Sequence, residues 1–291
     1  MTASASAGSA EELAPHPYLD LPGPIAFAHR GGASEAPENS LAAFAAAVAL
    51  GYRYLETDVH VTSDGVLVAF HDDRLDRVTD ARGLVAESTW SDLAQARIAG
   101  REPIPRFEEL LATWPTARIN VDPKHDAAVR PLLDLIGRLG AADRVCIGSF
   151  VAHRVRAARD RFGVAGCTAL TRGEAARLWV RSRFVGGPRG GPRGGPVQPR
   201  SSDAERGGRC LQVPIASGPL VRVDTRFVDR AHLEGTPIHV WTVDEEPEMD
   251  RLLDLGVDGL MSDEPARLRA VLERRGAWVD AVPTPPGTID R

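Results

Sequence analysis

The first apolar run of the chain ends in His29-Arg30-Gly31-Gly32, and polar residues of the same kind close several later runs. A histidine and an arginine can handle a proton and an anion, and two glycines after them let backbone approach a ligand closely. Glu56 and Asp58 are two apart in the next run, so on a strand both carboxylates face one side. Like charges crowded there raise each other's pKa unless a cation lies between them, which points to metal ligation. His71-Asp72 follows Val66 to Phe70 directly, and Asp122 and Lys124 share one face at the end of the run from Arg118. Lys124 is the one lysine against 34 arginines. Arginine-rich codon usage could leave one survivor by chance, but its place two residues from a carboxylate suggests a compact ammonium holding an anion. Together these positions offer three carboxylates, two imidazoles, one arginine and one lysine. Oxygen ligands suit a hard divalent ion, Ca2+ or Mg2+, better than zinc. A cation with an arginine and a lysine makes a receptacle for a phosphate or another oxyanion, and the histidines could relay protons at neutral pH.

Such residues must be carried to one place by the elements around them. Short apolar runs alternate with amphipathic stretches along the chain. Ile25 to Ala28 reads as a strand, and a helix follows from about Asn39, with Asn39 or Ser40 as cap and Gly51 as stop. Tyr54 to Val59 and Val66 to Phe70 flank Ser63-Asp64-Gly65, a hairpin signal. A loop-like segment comes next. Further strands are expected at Arg118 to Asp122, Val145 to Phe150, Gly166 to Leu170, Leu211 to Ile215, Ile238 to Val243 and Val257 to Met261. Helices are expected between them and over Pro265 to Arg274. Setting the hairpin strand aside leaves eight strand–helix units, which predicts an α/β fold: a (β/α)8 TIM barrel with a small hairpin insertion after strand 2. No Gly-x-Gly-x-x-Gly follows the first strand to support an open dinucleotide-binding sheet. Residues 1–23 read as an N-terminal extension, 24–275 as the barrel and 276–291 as a tail. A Gly/Pro/Arg-rich stretch within 183–208 is expected to form a mobile surface loop.

Composition narrows the function further. The 291 residues are 43% hydrophobic and 26% charged, enough apolar content for a full core. A net charge of −5, from 35 basic and 40 acidic residues, argues against nucleic acid as a partner. No apolar run approaches the ~20 residues of a membrane span, and the Ala/Ser-rich start does not read as a signal peptide. Cys146, Cys167 and Cys210 are widely spaced and odd in number, suggesting neither a disulfide framework nor a zinc pattern. The cytoplasm is the expected compartment.

At these residues the sequence strongly resembles the glycerophosphodiester phosphodiesterase family. The likeness is carried by His29-Arg30-Gly31, Pro37-Glu38-Asn39-Ser40, Glu56-x-Asp58, Asp64-Gly65, His71-Asp72 and Asp122-x-Lys124, then by Val240-Trp241-Thr242-Val243 and Gly256-Val257-Asp258-Gly259. The resemblance implies a TIM barrel that hydrolyses glycerophosphodiesters to glycerol 3-phosphate and an alcohol, within lipid and glycerol metabolism. It assigns Glu56, Asp58 and Asp122 to one divalent cation, Arg30 and Lys124 to the phosphate, and His29 and His71 to acid–base catalysis. Trp241 becomes an aromatic wall of the substrate cleft, with a core residue of the seventh strand as the alternative. The third metal ligand is often Glu in the family. Asp122 here also resembles the spider-venom phospholipase D branch, so a lyase forming a cyclic phosphate is one alternative, and a barrel that binds a phosphorylated ligand without turnover is another. Asn39 reads as a cap or loop anchor, Asp263 as a helix cap and Asp72 as a residue orienting a neighbour. His125 is expected to face away from the site, and His60 has no assigned place.

Overall fold

A computed structural model describes residues 16–184, 208–217 and 221–279. Strand β1 (Ile25–Ala28) leads through a tight turn into α1 (Leu41–Ala49), whose N-cap is Ser40, its side chain accepting from the Ala43 amide at 3.1 Å. Strand β2 (Tyr54–Val61) turns back into the antiparallel β3 (Leu67–Ala69), as the Asp64-Gly65 signal predicts. Then come α2 (Trp90–Leu93), the two-stranded ribbon β4 (Arg97–Ile98) and β5 (Glu102–Pro103), and α3 (Phe107–Thr113). Regular alternation follows: β6 (Arg118–Pro123), α4 (Asp126–Arg138), β7 (Val145–Ile147), α5 (Ala152–Phe162), β8 (Cys167–Ala169), α6 (Arg172–Phe184) and β9 (Gly208–Pro214). A second ribbon, β10 (Ala216–Ser217) and β11 (Val221–Arg222), precedes α7 (Thr225–Leu233), β12 (Ile238–Trp241), α8 (Glu246–Leu255), β13 (Gly259–Ser262) and α9 (Pro265–Arg274).

Eight parallel strands close on themselves in the order β1-β2-β6-β7-β8-β9-β12-β13, with β13 pairing back to β1. This is the expected barrel with its hairpin after the second strand. Both faces of its strands are covered, which is why they read as apolar runs rather than as alternating ones. The outer faces, with Leu55, Ile119 and Val240, pack against the helices in one large core. The lumen holds a separate cluster of Ile25, Phe27, Tyr54, Met261 and the three cysteines. Tyr18, wholly buried, belongs to that cluster, so packing reaches upstream of residue 24. Downstream, the Trp278 ring lies 5.2 Å from that of Tyr52, beyond residue 275.

The stretch after the hairpin differs from the expected loop. Phe70, Leu75, Val85, Leu93, Ile98 and Ile104 form a buried core of their own outside the barrel, and a Thr89–Asp92 capping box starts α2. Their spacing follows neither a helical nor a strand period, so the sequence pattern hides them. The expected Gly/Pro/Arg loop lies mostly outside the described residues; α6 reaches Phe184 and β9 begins at Gly208. Among the described residues, no helix is long and apolar enough to cross a membrane.

Candidate active site

The turn after β1 sets the aim of its side chains. Arg30, Gly31 and Gly32 have φ of +50°, +83° and +91°. A Cβ on Gly31 would lie 2.9 Å from Ala43 and Phe44, and one on Gly32 would lie 2.5 Å from the Pro265 ring, so only glycine lets this turn sit against α1 and α9. His29 and Arg30 thereby enter the mouth at the C-terminal ends of the strands, where barrel chemistry is found. The His29 Nδ1 donates to Asp263 Oδ1 at 2.8 Å, and its Nε2 lies 3.7 Å from Glu56 Oε2. Burial works against a charged ring, yet the Glu56 charge and the Asp263 hydrogen bond together hold the His29 pKa above its ordinary value.

The carboxylates are placed by register. Asp58 of β2 stands opposite Asp122 of β6, and Glu56 opposite Asn120. Glu56 Oε2 accepts from the Arg30 amide at 3.0 Å. Burial, and then the charge of Asp58, pushes the Glu56 pKa up to about 7. Lys124 Nζ lies 2.6 Å from Asp58 Oδ1 and 2.9 Å from Asp122 Oδ2. Its ammonium stays charged because these carboxylates outweigh the cost of burial. Arg30 Nε lies 3.5 Å from Asp58 Oδ2, a buried oxygen with no hydrogen-bond partner among the described residues. Burial also raises Asp122, against the pull of Lys124. Lys124 lies between Asp58 and Asp122; among the described residues, only the three cysteines bring three potential ligand atoms within 4.8 Å of one another.

A second imidazole is held from outside the barrel. His71 Nδ1 lies 2.6 Å from Asp72 Oδ1, so Asp72 orients its neighbour as expected. Arg77 Nε donates to Asp72 at 2.5 Å, and the same guanidinium donates to both Glu38 oxygens at 2.8 and 2.7 Å. Glu38 in turn accepts from Arg30 at 3.0 Å. A chain of alternating charges thus links His71 to Arg30. The Arg77 hydrogen bond is the main cause of an Asp72 pKa of about 2. His60, buried behind this loop, donates from Nε2 to the His71 carbonyl at 3.1 Å. Trp241, half-buried at the end of β12, packs edge-on against Phe150 with centroids 5.5 Å apart. Phe150 lies beyond the end of β7, half-exposed, with the Arg172 guanidinium 5.3 Å from its ring.

One residue departs from its expected part. Asp263 is no helix cap: Glu264 occupies that position, and Asp263 anchors His29 instead. Asn39 takes a left-handed φ of +57° and accepts from the Thr57 hydroxyl at 2.7 Å, so it anchors the loop while Ser40 caps the helix. His125 is exposed, but not through strand alternation: β6 stops at Pro123 and His125 is the N-cap of α4. Glu38, Arg77, His60 and Phe150 were not singled out as site residues; Glu38 lies within a family motif, whereas the others carry no local signal. The cysteines, scattered in sequence, converge inside the barrel.

Residues 29–267 match the Glycerophosphoryl diester phosphodiesterase family. The chain is 38% identical over 263 residues to "Probable glycerophosphodiester phosphodiesterase 2" of Mycobacterium tuberculosis, covering 90% of this chain and 95% of that one. It is 26% identical to a glycerophosphodiester phosphodiesterase of Caldanaerobacter subterraneus, over 87% of this chain and 99% of that one. The same fold occurs in an Oleispira antarctica phosphodiesterase solved in complex with the product sn-glycerol-3-phosphate, with a TM-score of 0.67 at 20% identity over 86% of this chain and 97% of that one. With a barrel closed as expected, its polar residues gathered at the strand ends and most of its length matched, this chain belongs to the glycerophosphoryl diester phosphodiesterase family.

Proposed function

We propose that this protein hydrolyses glycerophosphodiesters, releasing glycerol 3-phosphate and an alcohol, with one divalent cation, Ca2+ or Mg2+, bound at the barrel mouth. The observation that carries the reading is the pair of carboxylate-anchored imidazoles, His29 on Asp263 and His71 on Asp72, at a site that also holds Arg30 and Lys124. Binding a phosphate needs the cations alone; anchored imidazoles add a route for protons. Glu56, Asp58 and Asp122 would hold the ion, and the oxygen-only donor set with the unpartnered Asp58 Oδ2 fits a hard cation. Such an ion supplies Lewis-acid stabilisation of charge on the phosphate oxygens. Arg30 and Lys124 add fixed positive charge for the same oxygens. His29 takes the proton of the attacking oxygen as the new P–O bond forms. His71 gives a proton to the departing alcohol oxygen as the old P–O bond breaks. Trp241 and Phe150 form an aromatic wall for the glycerol or alcohol group.

The test is a panel of glycerophosphodiesters assayed with each metal restored after chelation, and products read by phosphorus NMR. EDTA-sensitive release of glycerol 3-phosphate is expected, and His71→Ala should lower kcat by roughly 10²–10⁴. Near-normal turnover by His71→Ala removes its role. A cyclic phosphate as final product replaces hydrolysis by lyase chemistry, and no turnover across the panel leaves a binding protein.

A further inference from the structure

The cysteines, up to 64 positions apart in the chain, meet in the lumen below the mouth. Cys146 lies in β7, Cys167 in β8 and Cys210 in β9, and the β7–β8 register sets Cys146 beside Cys167. All three are free thiols, at most 2% exposed, with sulfurs within 4.8 Å of one another and 3.8 Å between Cys146 and Cys210. Buried thiols alone behave as small apolar groups and carry no site. Their surroundings here are not apolar. His239 of β12 stands opposite Gln212, two residues along β9 from Cys210, and is wholly buried with its ring against the Cys210 thiol; among the described residues its nitrogens have no partner other than that thiol. Arg209, 3% exposed and next to Cys210 in β9, keeps Nε and Nη1 unpartnered among the described residues. The buried Tyr18 hydroxyl, from the same packed cluster as the three cysteines, is unpartnered among the described residues as well. Apart from the thiols themselves, these three buried groups thus lack, among the described residues, the full set of partners that buried polar groups nearly always find.

We propose that Cys146, Cys167 and Cys210 hold a zinc ion in the floor of the barrel, separate from the carboxylates of the mouth, and that His239, which lies beside Cys210 outside the tight sulfur cluster, turns its ring in on loading as the fourth ligand. Zn–S bonds of about 2.3 Å in a tetrahedron set sulfur–sulfur edges of about 3.8 Å, and the Cys146–Cys210 separation is 3.8 Å. On loading, the three thiols release their protons to solvent and His239 binds as the neutral ring through one nitrogen. Zinc with three thiolates leaves one net negative charge. Arg209 offsets that charge, and the Tyr18 hydroxyl donates to a sulfur. Soft thiolates select zinc, while the oxygen ligands of the mouth select a hard ion, so the two sites do not compete. Four protein ligands leave no open position, which makes the role structural. The ion ties together β7, β8, β9 and β12, four consecutive strands of the barrel.

Because the ligands are sealed from solvent, zinc enters as the chain folds, and the full-length protein should be expressed in zinc-supplemented medium and dialysed against EDTA before elemental analysis. About one zinc per chain is expected to survive dialysis. Cys167→Ser should lose most of it, whereas Asp58→Asn, altered only at the mouth, should keep it. Should Cys167→Ser fail to fold, wild-type protein from cobalt-supplemented cells gives an independent reading: thiolate-to-cobalt charge transfer and tetrahedral d–d bands, which an oxygen-liganded ion at the mouth does not produce. Wild-type protein without zinc after dialysis, a cobalt form lacking the charge-transfer band, or loss of zinc in Asp58→Asn would each overturn the proposal. None of these readouts depends on turnover, so the floor site and the hydrolytic reading stand or fall separately.

Discussion

Asp263 determines which nitrogen of His29 is free. Because Nδ1 carries the proton donated to Oδ1 at 2.8 Å, Nε2 is left to face the reacting groups. In Asp263→Asn the amide NH2 can face Nδ1 and favour the other tautomer. By analogy with the serine-protease aspartate, kcat should fall by about 10²–10⁴, while KM and thermal stability change little. Steady-state kinetics on glycerophosphocholine read this out, and an unchanged kcat would remove Asp263 as a positioning residue. Sequence could show His29, Arg30, Glu56, Asp58, Asp122 and Lys124, since strand alternation and strand ends are local properties. It could not show Asp263 in this part, because its partner lies 234 positions away and an acid two residues before Pro265 looks like an ordinary cap. His60 and Arg77 were hidden for the same reason: they act on the His71 loop from positions that only the folded chain brings near.

Between β1 and α1, geometry fixes the residue type as firmly as chemistry does elsewhere. Gly31→Ala would force alanine to φ +83° and press its Cβ to 2.9 Å from Ala43 and Phe44. Strain and overpacking together should cost about 1–3 kcal/mol, or roughly 2–10 °C in Tm for a domain of this size. Activity should fall further, since the same turn carries Arg30. Gly65→Ala is the control: its φ is +89° but nothing lies within 4 Å of the added carbon. Equal melting shifts for the two variants would show that the contacts with α1 contribute nothing. The barrel elements were legible because buried parallel strands concentrate apolar residues and the helices between them keep their period, as Pro265–Arg274 shows by matching its expected bounds. The segment carrying α2, β4 and β5 was not, because its core forms by contact among residues without a shared period. Strand ends also drifted: Phe150 was expected in a strand, but β7 stops at Ile147 and the residues beyond it turn outward to the mouth.

Opposite the mouth, the barrel is closed by residues that sequence reading placed outside it. The Tyr18 ring meets that of Tyr54 edge-on at 5.3 Å, and the Tyr54 hydroxyl donates to the Tyr18 carbonyl at 2.6 Å. Arg118 donates to the Asp20 carbonyl at 2.8 Å, and His16 Nε2 lies 3.1 Å from the Ala165 carbonyl. Burial beneath this cover, with Arg118 opposing it, leaves the Tyr54 pKa at about 12. Nothing in the run His16-Pro17-Tyr18-Leu19 announces such a role, because a single apolar turn has no period to read. Tyr18→Ala should open the floor to water and cost about 3–5 kcal/mol, the usual loss when a large buried aromatic is truncated. Urea unfolding should show the loss as a lower midpoint with little change in slope. Turnover per folded molecule should hold, since the strands separate the floor from the chemistry at their C-terminal ends. A loss under about 1 kcal/mol, ordinary for surface changes, would mean that the segment rests on the barrel without supporting it. A fall in kcat with stability intact would mean instead that floor and mouth are mechanically coupled through the lumen, where Gln212 of β9 donates to Asn120 of β6 at 2.8 Å in the layer between them.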